Sequence, residues 1–265
     1  MKKEIKVYEL SLIVKLNQDI AFDKTTDVIT KFLDDKICEK KGIDYHNSKN
    51  FKDYTFDNLI PFEKDKTYKK GINYVFRIRT INEELCEIFY KLEDFNNEYF
   101  KVLKTSKREV EKKIIDKLYT LTPALLKQNK SSKRDKTGYW LISEMKVKEF
   151  QKIVHINAIR KYQFFNELPI EFWEKEKDNK FFEGIKFKKN GVKISYKGKT
   201  LYTDKFELKI KNDELSQKIA YMLLGVGILQ NNSRGLGFVV PRYFKANKKK
   251  WFICKSMKGS LQDEW

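Results

Sequence analysis

The stretch GINYVFRIRTINEELCEIFYKLED, residues 71–94, changes its hydrophobic period half-way along. In the first part Ile72, Tyr74, Phe76 and Ile78 recur at every second position, with Arg77 and Arg79 on the opposite face. That spacing predicts a half-buried strand over 71–81. In the second part Leu85, Ile88, Phe89 and Leu92 recur at three- and four-residue intervals, which predicts an amphipathic helix over 83–94. Neither element buries its apolar face alone, so both need partners from the flanking sequence.

Upstream, residues 4–16 alternate through Tyr8, Leu10, Leu12, Val14 and Leu16 and read as a strand. Residues 24–39 place Val28, Ile29, Phe32, Leu33 and Ile37 on one helical face, with Asp23 as the expected N-cap. The loop KKGIDYHNSKN (40–50) and a short strand near 53–59 follow. Downstream, an extended stretch over 100–118 closes the half. The order is βαββαβ, the ferredoxin-like arrangement. The second half repeats it: a strand over 139–147, a helix over 148–167 and a hairpin over 183–197 turning at Lys189-Asn190-Gly191. An extended stretch (201–210), a helix (213–224) carrying Leu215, Ile219, Met222 and Leu223, and a last strand near 236–242 complete it. No residue-level repeat is visible, so the duplication rests on element order. Thr122-Pro123 and the polar run 127–138 mark the junction. The expected fold class is α+β, with tandem ferredoxin-like (RRM-like) domains at 1–122 and 123–265.

Glycine is scarce, 11 in 265 residues, yet Gly225, Gly227, Gly235 and Gly237 all fall in GVGILQNNSRGLGF, residues 225–238. Glycine lets backbone approach a ligand closely and present N–H groups to it. The tip between the two pairs, with Asn231, Asn232, Ser233 and Arg234, suits phosphate and sugar. Position 230 is Gln and position 240 is Val, so neither pair completes G-x-G-x-x-G, and no G-K-[ST] follows. A helix cap followed by a tight turn is the structural alternative.

A formal charge of +19, supplied mostly by lysine, points to a polyanionic partner, nucleic acid first and an anionic membrane surface second. Cys38, Cys86 and Cys254 form no C-x-x-C pair and no disulfide framework; the first two sit in apolar helical patterns and read as core. No apolar run reaches membrane-spanning length, so a soluble, cytoplasmic protein is expected. Metal-site motifs and the G-x-S-x-G elbow are absent, and Asp34/Asp35 and Glu83/Glu84 read as helix-surface acids. The two histidines differ. His155, in FQKIVHINAIRKYQFF (150–165), belongs to an apolar helical pattern and reads as packing. His46 lies in a polar loop beside Tyr45, Asn47, Ser48, Lys49 and Lys52; a lone loop histidine is usually ornamental, but histidine is the natural proton-transfer residue near neutral pH, which makes His46 a candidate.

Tandem ferredoxin-like halves, a late glycine-rich loop ending Gly235-Leu236-Gly237-Phe238, a histidine just after the first helix and the lysine-aromatic segment HNSKNFKDYTFDNL together resemble the CRISPR-associated endoribonucleases of the RAMP superfamily. These cut repeat RNA into guide RNAs. The resemblance spans nearly the whole chain, and Leu121-Thr122-Pro123 fits the family's interdomain segment. It implies cleavage without cofactor or metal by attack of a 2′-hydroxyl on the adjacent phosphate, leaving a 2′,3′-cyclic phosphate and a 5′-hydroxyl. It implies His46 as general acid/base and Lys52, or Lys49, as the cation stabilising the phosphorane. Many members carry a tyrosine in the first helix; residues 24–39 hold none, and Tyr45 or Tyr54 is the substitute. The glycine-rich loop (Gly225, Gly227, Asn231, Asn232, Ser233, Arg234, Gly235, Gly237), with Arg77, Arg79 and the tail 248–251, is the expected RNA surface. Substituting Gly235 or Gly237 should then weaken RNA binding without unfolding the chain. The implied partner is CRISPR repeat RNA, precursor and mature guide; other effector-complex subunits and a second copy of the chain are further candidates. A non-catalytic RAMP subunit that holds guide RNA is the alternative.

Overall fold

The computed structural model describes residues 4–48, 50–126, 146–196 and 199–244. Its first half runs β1 (Tyr8–Leu16), β2 (Ile20–Ala21), α1 (Phe22–Lys41), α2 (Ile43–Asn47), β3 (Tyr54–Phe56), β4 (Thr67–Tyr68), β5 (Asn73–Thr80), α3 (Glu83–Tyr90) and β6 (Phe100–Glu109). The second half runs β7 (Ile115–Thr120), α4 (Val147–Phe165), α5 (Ile170–Glu176), β8 (Phe182–Tyr196), β9 (Lys199–Ile210), α6 (Glu214–Val226) and β10 (Val239–Tyr243). One sheet has the order β3-β5-β1-β6 and the other β10-β7-β9-β8, with the two-residue β2 and β4 paired separately. In both four-stranded sheets the first strand of the half lies between its last and its third. All these pairings are antiparallel, giving two ferredoxin-like βαββαβ units.

The period change over 71–94 is realised as β5 followed by α3. Across β1 and β5 the register pairs Leu10 with Ile78, Leu12 with Phe76 and Val14 with Tyr74. These side chains form one core with Phe32 and Leu33 of α1 and Leu85 and Phe89 of α3. Cys86 joins it, while Cys38 is only half-buried; Cys254 lies outside the described residues.

Three readings need correction, and a fourth lies mostly outside the described residues. The stretch over 100–118 is two strands: β6 closes the first sheet, and β7 opens the second by pairing with β9 and β10. The change of sheet therefore falls between Glu109 and Ile115, ahead of the Leu121-Thr122-Pro123 segment. The strand expected over 139–147 falls mostly outside the described residues, and Val147 already begins α4. The hairpin does not turn at Lys189-Asn190-Gly191. Those residues are an irregularity inside β8, where the register shifts, and the hairpin closes between Tyr196 and Lys199. Asp23 lies in the first turn of α1, whose N-cap is Ala21.

Arg77 and Arg79 do share a face, but it is covered over Arg79 and partly covered over Arg77. Register places Glu9 opposite both Arg79 and Arg108, making a cross-strand row. Arg79, only 4% exposed, donates to Glu9 Oε2 at 2.7 Å and through Nη1 to the Val239 carbonyl at 2.8 Å. Its guanidinium also lies 4.6 Å from the Phe238 ring centroid. Arg77 donates to Asp57 Oδ2 at 2.7 Å and lies 5.4 Å from the same ring. Burial works to raise the Glu9 carboxyl, yet Arg79 and Arg108 together hold it below the ordinary range. A buried charge needs such partners. Arg79 thus ties the first sheet to the start of β10, while Arg77 is held by Asp57 and the Phe238 ring.

The irregularity in β8 has its own anchor. The Gly191 N–H donates to Asp204 Oδ1 at 3.0 Å, and Asp204 is buried. Burial pushes this carboxyl up to about 6, with the Gly191 bond opposing. A folded-state value above the unfolded one, about 4, stabilises the fold fully below pH 4 and progressively less as pH rises through 6. Asp204→Asn keeps an acceptor for Gly191 and removes the charge. It should add on the order of 2 kcal/mol at pH 7 and almost nothing at pH 3.5. Chemical denaturation at both pH values checks this.

Candidate functional site

Segments far apart in sequence meet in one cleft between the halves, with a volume of about 440 Å³. The first half contributes α1, the end of α2 and the loop leading to β3; the second contributes α4 and the loop after α6.

On the first side, Gly42 takes φ +79° and its N–H closes α1 on the Cys38 carbonyl at 3.0 Å, so α2 starts at once. The reading of 40–50 as a loop is therefore corrected: His46 lies in the short helix α2. Tyr45 and Ser48, which bracket it, both line the cleft. The Tyr45 hydroxyl donates to Asp53 Oδ1, whose other oxygen accepts from Asn82 Nδ2 at 2.7 Å. Asn82 is also the N-cap of α3, accepting from the Leu85 N–H, so the segment is fastened to that helix. Burial first, then Asp53, pushes the Tyr45 hydroxyl far above its usual range and keeps it protonated. Lys52 donates to the Tyr45 carbonyl, and its Nζ lies 4.8 Å from the Tyr45 ring centroid. Burial draws the Lys52 ammonium below the ordinary lysine range, with Asp53 and Asp34 opposing. The Tyr54 hydroxyl, 3.5 Å from Asp34 Oδ1, lies at the cleft floor. Phe51 packs edge-on against Phe164 of α4, at 5.7 Å between centroids, and so joins the two walls.

The opposite wall is the glycine-rich loop. Asn231, Ser233 and Arg234 line the cleft, Arg234 being exposed. The segment is contorted: Leu229 and Asn231 both take φ +58° without being glycine. Residues held in that region need support from their surroundings.

No family model matches the sequence, and no similar curated protein is found. Solved structures do match. One described as CRISPR associated protein Cas6 aligns over 89% of this chain and 99% of its own, with a TM-score of 0.67 and 20% identity. A RAMP protein binding different RNA substrates aligns over 89% and 99%, with a TM-score of 0.65 and 16% identity. A Cas6-related protein from Pyrococcus furiosus aligns over 92% and 100%, with a TM-score of 0.62 and 17% identity. The chain has the fold of the Cas6 and RAMP proteins.

Within this Cas6-like fold the glycines serve the loop itself. A Cβ at Gly225 would lie 2.6 Å from Ile81 Cγ2, so this residue lets α6 press on the first half. At Gly235 it would meet the Phe56 ring at 2.7 Å, which seats the loop on β3. At Gly227 and Gly237 it would strike the loop's own Asn232 and Ile228. The N–H groups of Gly227, Gly235 and Gly237 are bonded to the carbonyls of Leu223, Asn232 and Pro123. Their reading as N–H donors to a ligand is corrected. Asn232 is likewise turned inward: its Nδ2 donates to the Ile228 and Leu236 carbonyls at 2.9 and 2.8 Å. Of the loop residues singled out from sequence, Asn231, Ser233 and Arg234 line the cleft together with the buried Asn232. Lys49 and the tail 248–251 lie outside the described residues.

His155 is buried, its Nε2 2.9 Å from the Glu176 carbonyl, and burial lowers its pKa. Among the described residues no group of His, Cys, Asp and Glu could hold a metal ion, and no helix is long and apolar enough to cross a membrane. Sequence reasoning missed Lys161. It falls on the inward stripe of α4 with Phe150, Val154 and Ala158, is buried, and lines the cleft beneath the loop. A lysine on an apolar helical stripe was the available signal.

Proposed function

We propose that this chain is a CRISPR-associated endoribonuclease that cuts precursor repeat RNA into guide RNAs. The observation that carries this reading is the cleft: the α2 segment bearing His46, together with Lys52, faces Asn231, Ser233 and Arg234 across one cavity. The Cas6-like fold and the charge of +19 support it. RNA supplies its own nucleophile, so the protein's task is to hold the 2′-hydroxyl, phosphorus and leaving oxygen in line. His46 transfers a proton, and a cation beside the phosphate, Lys52 or Lys49, offsets the charge that grows on its oxygens. The products are a 2′,3′-cyclic phosphate and a 5′-hydroxyl. We assign Tyr45 and Tyr54 to the architecture of the cleft, since the Tyr45 hydroxyl is committed to Asp53 and Tyr54 is buried beside Asp34. A cytoplasmic location follows from this reading, with repeat RNA as the partner; effector-complex subunits and a second copy of the chain remain candidate partners.

The alternative is a non-catalytic RAMP subunit holding guide RNA. Both readings require RNA in this cleft, and Arg234 tests that part. Arg234→Ala should weaken binding of labelled repeat RNA and make the salt dependence shallower by about 0.7 in log–log slope per lost phosphate contact. Fluorescence anisotropy between low and moderate salt reads both quantities. Unchanged affinity and slope would remove the loop from the RNA surface.

A further inference from the structure

Lys161 is 1% exposed, yet it lines the proposed RNA cleft. Its Nζ donates to the Gly227 carbonyl at 2.8 Å and to Asn232 Oδ1 at 2.6 Å. The same Asn232 amide donates to both the Ile228 and Leu236 carbonyls. One ammonium on α4 therefore holds both ends of the loop whose tip carries Asn231, Ser233 and Arg234. The Phe51 ring centroid lies 6.0 Å from Nζ, closing the side toward the first half.

Ionisable groups approach from every surrounding element. Asp34 of α1, Tyr45 of α2, Lys52 and Tyr54 of the following segment, and Arg234 line the same cleft. His46 belongs to α2, and Arg160, next on α4, lies 4.9 Å from the Trp173 ring of α5. Among the described residues no carboxylate pairs with Lys161, and burial alone draws it from the ordinary lysine range to about 7.

We propose that Lys161 is a positioning residue that latches the glycine-rich loop and links its own protonation to RNA binding. This rests on reading the cleft as the RNA site. A phosphate chain laid beside a buried ammonium without a counter-ion favours the charged form, and by reciprocity the charged form favours RNA. The neutral amine still has two N–H groups for Gly227 and Asn232, so the latch persists when the proton is lost. Affinity should fall as pH rises from 6 to 8.5, by as much as about tenfold if RNA raises the lysine's pKa by one unit.

The test uses the His46→Ala protein, which takes the proposed cleavage and the imidazole of α2 out of the measurement. Fluorescein-labelled repeat RNAs, one unstructured and one hairpin, are the probes. Calorimetry at pH 8 in buffers of different ionisation enthalpy should record uptake of about 0.4 proton per RNA bound for that one-unit rise. Adding Lys161→Met should abolish that uptake, flatten the pH dependence and weaken binding several-fold at pH 6. Adding Lys161→Arg should restore binding at pH 6 and leave it insensitive to pH. Circular dichroism checks that each variant is folded; if the Met variant is not, the uptake by the parent decides. RNA binding without proton uptake, or uptake retained after Lys161→Met, overturns the inference. A parent that binds neither RNA overturns the RNA reading itself.

Discussion

His46→Ala is expected to slow single-turnover cleavage of repeat RNA by about 10²–10⁴-fold, the loss typical of one acid/base group, while affinity stays within a few-fold. The reason lies in how α2 is held. Gly42 turns the chain sharply out of α1, and Tyr45, one residue before His46, is fastened through Asp53 to the N-cap of α3. His46 thus sits on a short helix with a fixed neighbour. In the proposed RNA complex, phosphate contacts spread along the basic surface would supply most of the affinity, so losing one imidazole should spare binding. His155→Ala is the matched comparison. His155 is buried against Phe181 and bonded to the Glu176 carbonyl, so its loss should lower stability while the folded fraction still cleaves. Equal rates for wild type and the His46 variant, measured with enzyme in excess, would remove His46 from the chemistry.

Gly237→Ala is expected to destabilise the protein by more than about 2 kcal/mol and to abolish tight RNA binding with it. Gly237 has φ +69°, and an added Cβ would lie 2.1 Å from the Ile228 carbonyl oxygen and 2.8 Å from Asn232 Nδ2. The first obstacle is backbone and cannot swing aside. The second is the amide that joins the loop to Lys161. Gly42→Ala isolates the conformational part: φ is +79° there, but nothing lies within 4 Å of the added carbon. With ψ at 166° this backbone conformation is one that glycine alone adopts readily, and the change should cost about 1–3 kcal/mol. Urea denaturation of both variants gives the comparison. Similar losses at the two positions would show that the loop relaxes around the methyl group. The sequence-based expectation that Gly237 could be changed without unfolding the chain thus gives way to a packing argument.

The elements were legible where one residue's neighbours decide its face. Alternation in β1 and β5 and helical spacing in α1, α3 and α6 come from local burial, and they sufficed for a tandem ferredoxin-like arrangement. What stayed hidden depends on contacts between halves. Six-residue β7 continues the polar extended run after β6, and only its pairing with β9 and β10 assigns it to the second sheet. Arg77 and Arg79 occupy what alternation marks as the outer face, but Phe238 and Val239 cover it from the far end of the chain. In the loop, composition marked the segment but not its direction. Asn232 and the glycines point inward to build the turn, and the residues between them carry the exposed surface. Lys161 was the costliest omission, because a buried ammonium is explained only by acceptors 66 and 71 residues away.

The most direct measurement of the proposed reaction compares two substrates: repeat RNA, and the same RNA with a single 2′-deoxy nucleotide immediately 5′ of the scissile phosphate. Purified protein in EDTA should cut the first to a 5′ fragment ending in a cyclic phosphate or its opened form. It should bind the second with nearly the same affinity and leave it intact, since one 2′-hydroxyl is a small part of a phosphate-dominated interface but is the whole nucleophile. Efficient cutting of the deoxy substrate, or a 3′-hydroxyl on the 5′ fragment by mass analysis, would contradict attack by the RNA's own hydroxyl, and binding of both without cutting would favour the guide-holding subunit.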